Sequence, residues 1–334
     1  MAYIILNKNH FFNNLDIIAN KTKCKDKIAL VLKDNAYGHG LLEVASMAQE
    51  YGIKRAVVKS NEEAQIIEKY FEYILILADF PQEINTKYRY TINDLHSIES
   101  FPKDTKVELK VDTGMHRNGI KIGELKIALE KIEKQALVLE AIFTHHRSAD
   151  ELTSEWFWQN KNFANVKTMA KEYGYTDLRF HSSNSAALFR NEEFGEDMAR
   201  VGIAAYGCLE LPNAFERTKL KPVLSIYAQK ISSRKLAKGE SVGYGATFTS
   251  QQECTVSNYN FGYGDGFLRI CSNKYTSPKG YLLAGRVSMD NSSFISDEEN
   301  ILIFDDAKEM AKSAQTISYE VLTSLKETIQ RKII

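Results

Sequence analysis

The chain of 334 residues is 44% hydrophobic, which is enough for two domains with sizeable cores. Its 43 basic and 43 acidic residues give a formal net charge of +0, so no long-range field favours nucleic acid or an anionic membrane as a partner. Four cysteines without Cys-x-x-Cys spacing are too few for a disulfide scaffold, and they predict a reduced, cytoplasmic setting.

Residues 1–9 contain a short apolar run with no preceding basic region and no small-residue cleavage site. We therefore interpret this run as a strand of the mature protein. Because no segment approaches the length of a membrane span, a membrane partner is not expected.

The next apolar run, at residues 28–32, is typical of a buried strand. It ends at Lys33, which is followed by two small polar residues and a glycine-flanked turn at 37–40. A single lysine after an apolar run is most often a solvated strand end. In a parallel β/α protein, however, the carboxyl end of a strand is where catalytic groups usually lie. Lys33 is therefore a candidate for chemistry.

Beyond this strand, apolar runs and helical periodicity alternate along the chain. Helices are predicted at 41–50, 62–71, 122–134 and 154–173, with a short one from Asn184. Strands are predicted at 28–32, 55–59, 73–78, 88–92, 106–111, 137–144, 178–181 and 201–207. Eight strands with mostly helical connections predict a (β/α)₈ barrel, which fits this strand number better than a doubly wound sheet.

From Lys221 onward the pattern changes to short apolar runs separated by polar turns, at 223–228, 281–284 and 300–304. We expect a second, mainly β domain that starts near residues 215–222 and ends in a helix from Tyr319 to about Gln330. The predicted division is therefore a barrel domain at 1–218 and a mainly β domain at 219–334.

Residues 31–40 read Val-Leu-Lys-Asp-Asn-Ala-Tyr-Gly-His-Gly. This stretch resembles the pyridoxal-phosphate attachment motif of the alanine racemase family, in which the lysine forms a Schiff base with the cofactor. The resemblance implies this role for Lys33 and a contact between Tyr37 and the cofactor phosphate. Asp34 departs from the Ala or Cys that usually follows the lysine.

Residues 106–119 end another predicted strand in charged residues and a glycine turn. They resemble the family's Lys-Val-Asp-Thr-Gly-Met-x-Arg-x-Gly motif. The resemblance implies that Arg117 holds the substrate carboxylate, and that Lys110, often carbamylated in the family, orients Arg117. A guanidinium suits a planar carboxylate better than an ammonium does. Alternatively, the charged residues of this stretch are only the solvated end of a strand. This interpretation suits Arg117 poorly, because Arg117 lies between two glycines.

Histidines follow the predicted strands at 137–144 and 178–181. A metal-dependent barrel hydrolase is one interpretation, with ligands drawn from His145, His146, His181 and Asp112, although compact ligand spacing is confined to the adjacent pair. Under the resemblance, no metal is implied; His145 and His181 line the cofactor pocket, and Ser185 contacts its phosphate. A serine at the start of a predicted helix suits an anion, because the first N–H groups and the helix dipole favour negative charge.

Residues 198–207 are similar to the family's Arg-Pro-Gly-Ile-x-x-Tyr-Gly segment, with Val201 in place of proline. Taken alone, Arg200 would be a surface arginine before a strand. The resemblance instead implies that Arg200 faces the pyridine nitrogen of the cofactor, and that the backbone of Gly202 and Ile203 binds phosphate. An arginine at that nitrogen makes the ring a weaker electron sink than an aspartate would.

In the second domain, residues 241–248 resemble the segment that carries the family's second catalytic base, which would be Tyr244. Two further matches imply that Tyr263 narrows the entrance of the site and that Met289 helps to bind substrate. The family usually closes with Arg-x-x-Arg-x-Tyr, and Ile333 stands where the last tyrosine is expected. We therefore expect one contact to the cofactor phosphate to be missing.

The resemblance covers nearly the whole chain and implies pyridoxal-phosphate-dependent interconversion of L- and D-alanine, which supplies D-alanine for bacterial peptidoglycan. Lys33 and Tyr244 would serve opposite faces of the α-carbon. It also implies a homodimer, in which Tyr244 comes from the second subunit. A racemase of serine, lysine or several amino acids would share these motifs. A metal-dependent hydrolase and a non-catalytic pyridoxal-phosphate carrier are the remaining alternatives.

Overall fold

The computed structural model describes residues 2–215 and 218–334. Met1, in the predicted N-terminal run, and residues 216–217, beside the predicted domain division, lie outside the described residues. In chain order, the strands are β1 (Tyr3–Leu6), β2 (Ile28–Val31), β3 (Arg55–Val58), β4 (Tyr73–Ile76), β5 (Tyr88–Ile92), β6 (Lys106–Asp112), β7 (Ile120–Lys121), β8 (Val138–Phe143), β9 (Arg179–His181), β10 (Ala199–Val201), β11 (Leu224–Leu236), β12 (Ser241–Val242), β13 (Phe248–Thr249), β14 (Cys254–Tyr259), β15 (Ser292–Ile295), β16 (Asn300–Phe304) and β17 (Gln330–Ile333).

The helices are α1 (Lys8–Thr22), α2 (Lys33–Tyr37), α3 (Leu41–Tyr51), α4 (Asn61–Ile67), α5 (Leu125–Lys134), α6 (Glu155–Glu172), α7 (Ser185–Arg190), α8 (Ala307–Ala314) and α9 (Ser318–Thr323). Neither α1 nor α8 is among the predicted elements. Both bury one face, as Phe11, Leu15 and Ile18 do on α1.

Eight parallel strands form a nearly closed barrel in the order β10-β2-β3-β4-β5-β6-β8-β9, so the predicted (β/α)₈ architecture is confirmed. Strand β2 is buried along its whole length, since a barrel strand is covered on both faces. Strands β9 and β10 do not pair as a ladder, but isolated backbone hydrogen bonds connect the segments that follow and precede them, such as the one from Arg200 N to Ser183 O at 2.9 Å. The barrel therefore brings eight strand ends to one rim.

The second sheet has the order β15-β14-β11-β1-β17, and β16 also pairs with β11. Strand β1 comes from residues 3–6 and lies inside this sheet, where it pairs antiparallel with β11 and parallel with β17. The mainly β character of the second domain is confirmed. The division at 218/219 stays a prediction, and residues 3–6 contribute to the sheet of the second domain.

Three predicted elements differ in the structure. The strand expected at 201–207 is shorter and earlier, at Ala199–Val201, because the chain turns directly after it, with a backbone hydrogen bond from Ala205 N to Gly202 O at 2.8 Å. The helix expected from Tyr319 to Gln330 ends at Thr323. The residues after it form β17, because β1 offers a free strand edge there. The run at 281–284 forms isolated bridges.

Throughout residues 2–215 and 218–334, every helix is too short or too polar to cross a membrane. The four cysteines are free thiols.

Candidate active site

A cavity of about 370 Å³ opens at the carboxyl ends of the barrel strands. It is lined by Val31, Lys33, Asp34, Tyr37, Val57, Leu77, Lys110, Arg117, Phe143, His145, Asn184, Ser185, Arg200, Gly202, Ile203, Tyr319 and Thr323. The structure therefore brings together nine of the residues predicted from the sequence, namely Lys33, Tyr37, Lys110, Arg117, His145, Ser185, Arg200, Gly202 and Ile203.

Lys33 begins a turn of left-handed helix at the end of β2. The backbone φ angles of the next four residues, Asp34 to Tyr37, lie between 50° and 54°. Left-handed helix costs roughly 1–2 kcal/mol per residue, since each Cβ approaches the following carbonyl oxygen. Asp and Asn tolerate this region better than most residues, which suits Asp34 and Asn35.

Hydrogen bonds from outside the turn hold it in place. The carboxylate of Glu63, on α4, accepts from the backbone N–H of Asp34 at 2.6 Å and from that of Lys59 at 2.8 Å. The side chain of Asn35 accepts from Leu41 N at 2.7 Å. Because strained backbone persists where its surroundings over-determine it, these bonds fix the direction in which Lys33 leaves the strand.

Replacing Glu63 with alanine is expected to destabilise the protein by about 1–3 kcal/mol, since two backbone donors lose a charged acceptor. Urea unfolding measures this change, and Glu62→Ala is the matched control. Glu62 is exposed in the same first helical turn, so its loss should change stability by no more than about 0.5 kcal/mol. Equal losses in the two variants would contradict the role of Glu63 in the turn.

Asp34, which lines the cavity, lies between two lysines. One carboxylate oxygen lies 2.6 Å from Lys59 Nζ, and the other lies 3.7 Å from Lys33 Nζ. The departure of Asp34 from the family motif thus places a negative charge beside Lys33.

The opposite end of the cavity is built to receive an anion. Ser185 Oγ accepts from the backbone N–H of Gly202 at 3.1 Å and from that of Ala204 at 3.3 Å. The hydroxyl hydrogen of Ser185 is therefore directed away from these two N–H groups. Gly202 lies against Tyr37, because a Cβ on this glycine would be 3.1 Å from the Tyr37 hydroxyl oxygen. A serine hydroxyl, a tyrosine hydroxyl and backbone turns therefore meet at one point, as phosphate binding requires.

Arg200 is almost fully buried and points across the floor of the cavity. Its guanidinium donates to Nδ1 of His181 at 2.5 Å and to the carbonyl oxygens of Thr144 and Ser182 at 2.7 and 3.1 Å. Burial lowers its pKa to about 10, against the opposing effect of Glu196 and other anionic groups. His181 lies behind Arg200 and does not line the cavity among the described residues.

Positive charge dominates the rest of the cavity wall. Burial, followed by the charges of Arg200, Arg117 and Lys33, lowers the pKa of Lys110 to about 8. Burial and the same cationic groups hold the pKa of His145 well below its usual range. The cavity wall therefore contains the neutral imidazole of His145 and the amine of Lys110, which is partly neutral near pH 8. Both side chains face space in which an anion could lie.

The three predicted site residues of the second domain are exposed: Tyr244 by 69%, Tyr263 by 42% and Met289 by 57%. None of the three is among the described residues that line the cavity. Tyr244 is held between Gly243 and Gly245, both with φ near +70°. The loops of Tyr263 and Met289 are joined by backbone bonds, including one from Gly264 N to Met289 O at 2.7 Å. Within one chain, Tyr244 and Lys33 are thus parts of different surfaces.

The metal-site interpretation finds no support in the geometry. Across the described residues, no group of three or more His, Cys, Asp or Glu side chains could hold a metal ion. Asp112 Oδ1 instead accepts three backbone N–H bonds, from Gly114, Met115 and His116. His181 is occupied by Arg200 and by Glu108.

Two cavity residues, Tyr319 and Thr323, are absent from the predicted site. Both lie on α9, and the ring of Tyr319 packs against that of Tyr37 at 5.6 Å. Ile333, by contrast, pairs with Leu6 in the second sheet and is not a lining residue of the cavity. Residue 333 is therefore placed away from the cavity, because the closing segment of the chain is a strand of the second sheet, whereas Tyr319 reaches the cavity from α9. The loss of a phosphate contact stays a prediction.

Two family models together match nearly the whole chain. The model for "Alanine racemase, N-terminal domain" matches residues 6–210, and the model for "Alanine racemase, C-terminal domain" matches residues 223–333.

Curated relatives are similar over their full length. The alanine racemase of a Nitratiruptor species is 45% identical over 99% of each chain, and that of Campylobacter curvus is 40% identical over 100% of each. Among solved structures, the alanine racemase of Bacillus anthracis with bound L-Ala-P has a TM-score of 0.90 at 27% identity, covering 100% of this chain and 95% of that one. The E. faecalis alanine racemase has a TM-score of 0.89 at 26% identity and covers 100% and 98%.

Proposed function

The chain belongs to the alanine racemase family and interconverts L- and D-alanine, and we propose that it does so by proton transfer between Lys33, the α-carbon and Tyr244. The observation that supports this assignment best is the cavity itself. Lys33, Arg117 and an anion-binding end face one space of about 370 Å³, which suits a cofactor together with a small amino acid.

Pyridoxal phosphate, which enzymes of this family use, is the cofactor that we propose for this cavity. The residues fit it: Ser185, Tyr37 and the turn at Gly202 would hold the phosphate, and Arg200 would face the ring nitrogen. Lys33 Nζ would hold the cofactor through its aldehyde carbon until the amine of the substrate takes the place of the lysine, and the cofactor would then acidify the α-hydrogen of that amino acid. The neutral ring of His145 offers a flat surface beside the same space.

Arg117 is the group that we propose for the substrate carboxylate. It lies on the cavity wall after β6, and Gly119 fixes the loop, with φ at +114° and its N–H bonded to Asn93 O at 2.7 Å. A planar guanidinium can bind both carboxylate oxygens at once. With the carboxylate held there, the α-carbon lies between Lys33 and the open mouth of the cavity.

Racemisation requires a proton to leave one face of the α-carbon and to return on the other. Lys33 reaches one face from the floor of the cavity, so the second base must come from the mouth. Tyr244 is exposed on its own chain, and its neighbour Gly245 lies against Arg286. The loop of Met289 follows Arg286 and is bonded to the loop of Tyr263, so these exposed side chains share one surface. We propose that this surface closes the cavity of a second copy, so that a homodimer has two shared sites with amino-acid substrate between the copies.

Mixed dimers test the shared site. Lys33→Ala and Tyr244→Phe subunits are each expected to be nearly inactive, whereas a dimer of one of each has one site with both groups intact. The mixed dimer should therefore have roughly half of the activity of the unaltered protein. The measurement is racemisation after co-expression and purification through two different tags. Mixed dimers no more active than either variant would contradict a site shared between subunits.

Lys110 is the residue that we propose to react with carbon dioxide. Its neutral amine would attack CO₂ to form an N-carboxylate and release one proton. The negative charge of the N-carboxylate would then give Arg117 an anionic partner among the cationic side chains of the cavity wall. Because the pKa of Lys110 is lowered to about 8, the reactive amine is lost as the pH falls below that value. Occupancy measured by ¹³C NMR with labelled bicarbonate should therefore decrease from pH 9 to about pH 6, and Lys106→Arg should leave the signal intact.

The experiment that tests the function is a panel of D- and L-amino acids assayed for racemisation with added cofactor. Alanine is expected to react fastest. A racemase of serine or lysine is the second candidate, since one methylene changes binding by only about 1–3 kcal/mol. Turnover of neither alanine nor any other amino acid would overturn the proposed chemistry. We also propose a cytoplasmic setting, in which the D-alanine formed supplies cell-wall peptidoglycan.

A further inference from the structure

A carboxylate lies in the barrel core, below the cavity, where the reaction makes no use of it. Glu108 is fully buried in β6, two residues before Lys110, so both side chains point into the barrel. A buried carboxylate costs several kcal/mol unless it is paired, and apolar residues of similar size are often at least as stabilising. The presence of Glu108 therefore calls for a role.

Glu108 is enclosed by three donors from two strands, β4 and β9. One oxygen accepts from His181 Nε2 at 2.9 Å. The other accepts from the Tyr73 hydroxyl and from Arg179 Nη2, the latter at 3.0 Å. Burial alone would raise the pKa of Glu108, but the charges and hydrogen bonds of His181, Arg179 and Tyr73 lower it to about 2. The hydrogen bonds of these three donors and the charge of Arg179 thus favour the ionised form of Glu108.

The ring of His181 lies between this anion and Arg200. A guanidinium can only donate hydrogen bonds, so Nδ1 of His181 must be the lone pair that accepts from Arg200. An ionised carboxylate can only accept, so Nε2 must carry the hydrogen that is donated to Glu108. The two partners together allow one form of the ring, the neutral Nε2–H tautomer. Burial lowers the pKa of His181, which agrees with a neutral ring.

We propose that Glu108 is a positioning residue, which holds His181 in the Nε2–H tautomer so that its Nδ1 lone pair fixes the guanidinium of Arg200 on the cavity floor. The role of Arg200 toward the cofactor ring rests on the proposed function, whereas the tautomer of His181 does not. In the other tautomer, Nδ1–H would point at a donor, and Arg200 would keep only its carbonyl partners, on Thr144, His181 and Ser182.

The Glu108→Gln substitution tests this order of contacts. An amide has a single oxygen, and two donors, Tyr73 and Arg179, already converge on one side of residue 108. The oxygen of glutamine should remain on that side, which turns the amide NH₂ toward His181. Nε2 must then accept, the hydrogen moves to Nδ1, and the contact with Arg200 is lost.

Glu140→Gln is the matched control because it removes one negative charge from the same network. Glu140 pairs with Arg179 at 2.8 Å and with Arg89 at 2.9 Å, and its recorded bonds do not include His181. The readout is the ¹⁵N NMR spectrum of histidine-labelled full-length protein, with and without cofactor, in which His181→Asn identifies the signals of residue 181. The nitrogen that carries hydrogen distinguishes the tautomers directly.

In the unaltered protein and in Glu140→Gln, we expect the Nε2–H tautomer at every pH from about 6 to 9. In Glu108→Gln, we expect the Nδ1–H tautomer together with a kcat for alanine that falls about 10- to 100-fold, the range found when partners of oriented histidines are lost. KM should change much less, because Arg117 still binds the carboxylate.

An Nδ1–H or doubly protonated ring in the unaltered protein would overturn the proposal, and that measurement does not depend on the folding of Glu108→Gln. An unchanged tautomer in Glu108→Gln, or an equal change in Glu140→Gln, would overturn it as well. Absence of racemase activity in the unaltered protein would instead overturn the proposed function, and the NMR result for His181 would stand by itself.

Discussion

Replacing Lys33 with alanine is expected to abolish the racemisation of alanine, with a loss of at least about 10³-fold. The variant loses two things together: the amine that would attach the cofactor and the base that serves one face of the α-carbon. Loss of optical rotation from L-alanine, measured with added pyridoxal phosphate, reports the activity. The unaltered protein should also be yellow and should lose its colour on borohydride reduction, which attaches the cofactor permanently to the lysine. In Lys33→Ala, borohydride should attach no cofactor.

Lys59→Ala is the control for this experiment. Lys59 shares the carboxylate of Asp34 with Lys33, at 2.6 Å, but it is not among the residues that line the cavity. Its activity should stay within a factor of about 3, as expected for an exposed ion pair. Borohydride labelling on a peptide other than the one with Lys33 would show that the attachment site is assigned incorrectly.

Replacing Tyr244 with phenylalanine is expected to impair proton exchange at one enantiomer by about 10²–10⁴-fold and at the other far less. Removing one hydroxyl leaves the base on the Lys33 face in place, so the enantiomer whose hydrogen faces Lys33 can still exchange. Incorporation of deuterium from solvent into L- and D-alanine, measured separately, gives the two rates. Equal losses would count against two bases on opposite faces.

Tyr281→Phe provides the comparison for Tyr244. Tyr281 lies in the same domain, and its hydroxyl donates to Glu298 at 2.9 Å, away from the surface that carries Tyr244. Both exchange rates should remain near those of the unaltered protein, because the variant removes one hydroxyl without removing a base.

The sequence predicts the barrel and the residues of its rim because both signals are local. Each apolar run marks a strand, and each polar residue just after a run marks a strand end, as for Lys33 and His145. The resemblance then gave roles to residues that the cavity brings together, including Arg117 and Ser185. Those roles are proposals that the variants described above test.

Other features depend on tertiary contacts that no local pattern contains. The segment 330–333 is a strand because it meets β1 from the other end of the chain. Tyr319 reaches the cavity only because α9 packs near Tyr37. For Glu108 a signal did exist: it shares a strand face with Lys110, and inward-facing positions of a barrel strand alternate. The left-handed turn after Lys33 had a weaker cue, the pair Asp34 and Asn35.

The pairing of β1 with β11 and β17 imposes an order on biosynthesis. The ribosome releases residues 3–6 first, yet β1 has its antiparallel partner only after β11 emerges and its parallel partner only after residues 330–333 are complete. All eight barrel strands are translated in that interval. The barrel can therefore form before β1 has its partners in the second sheet.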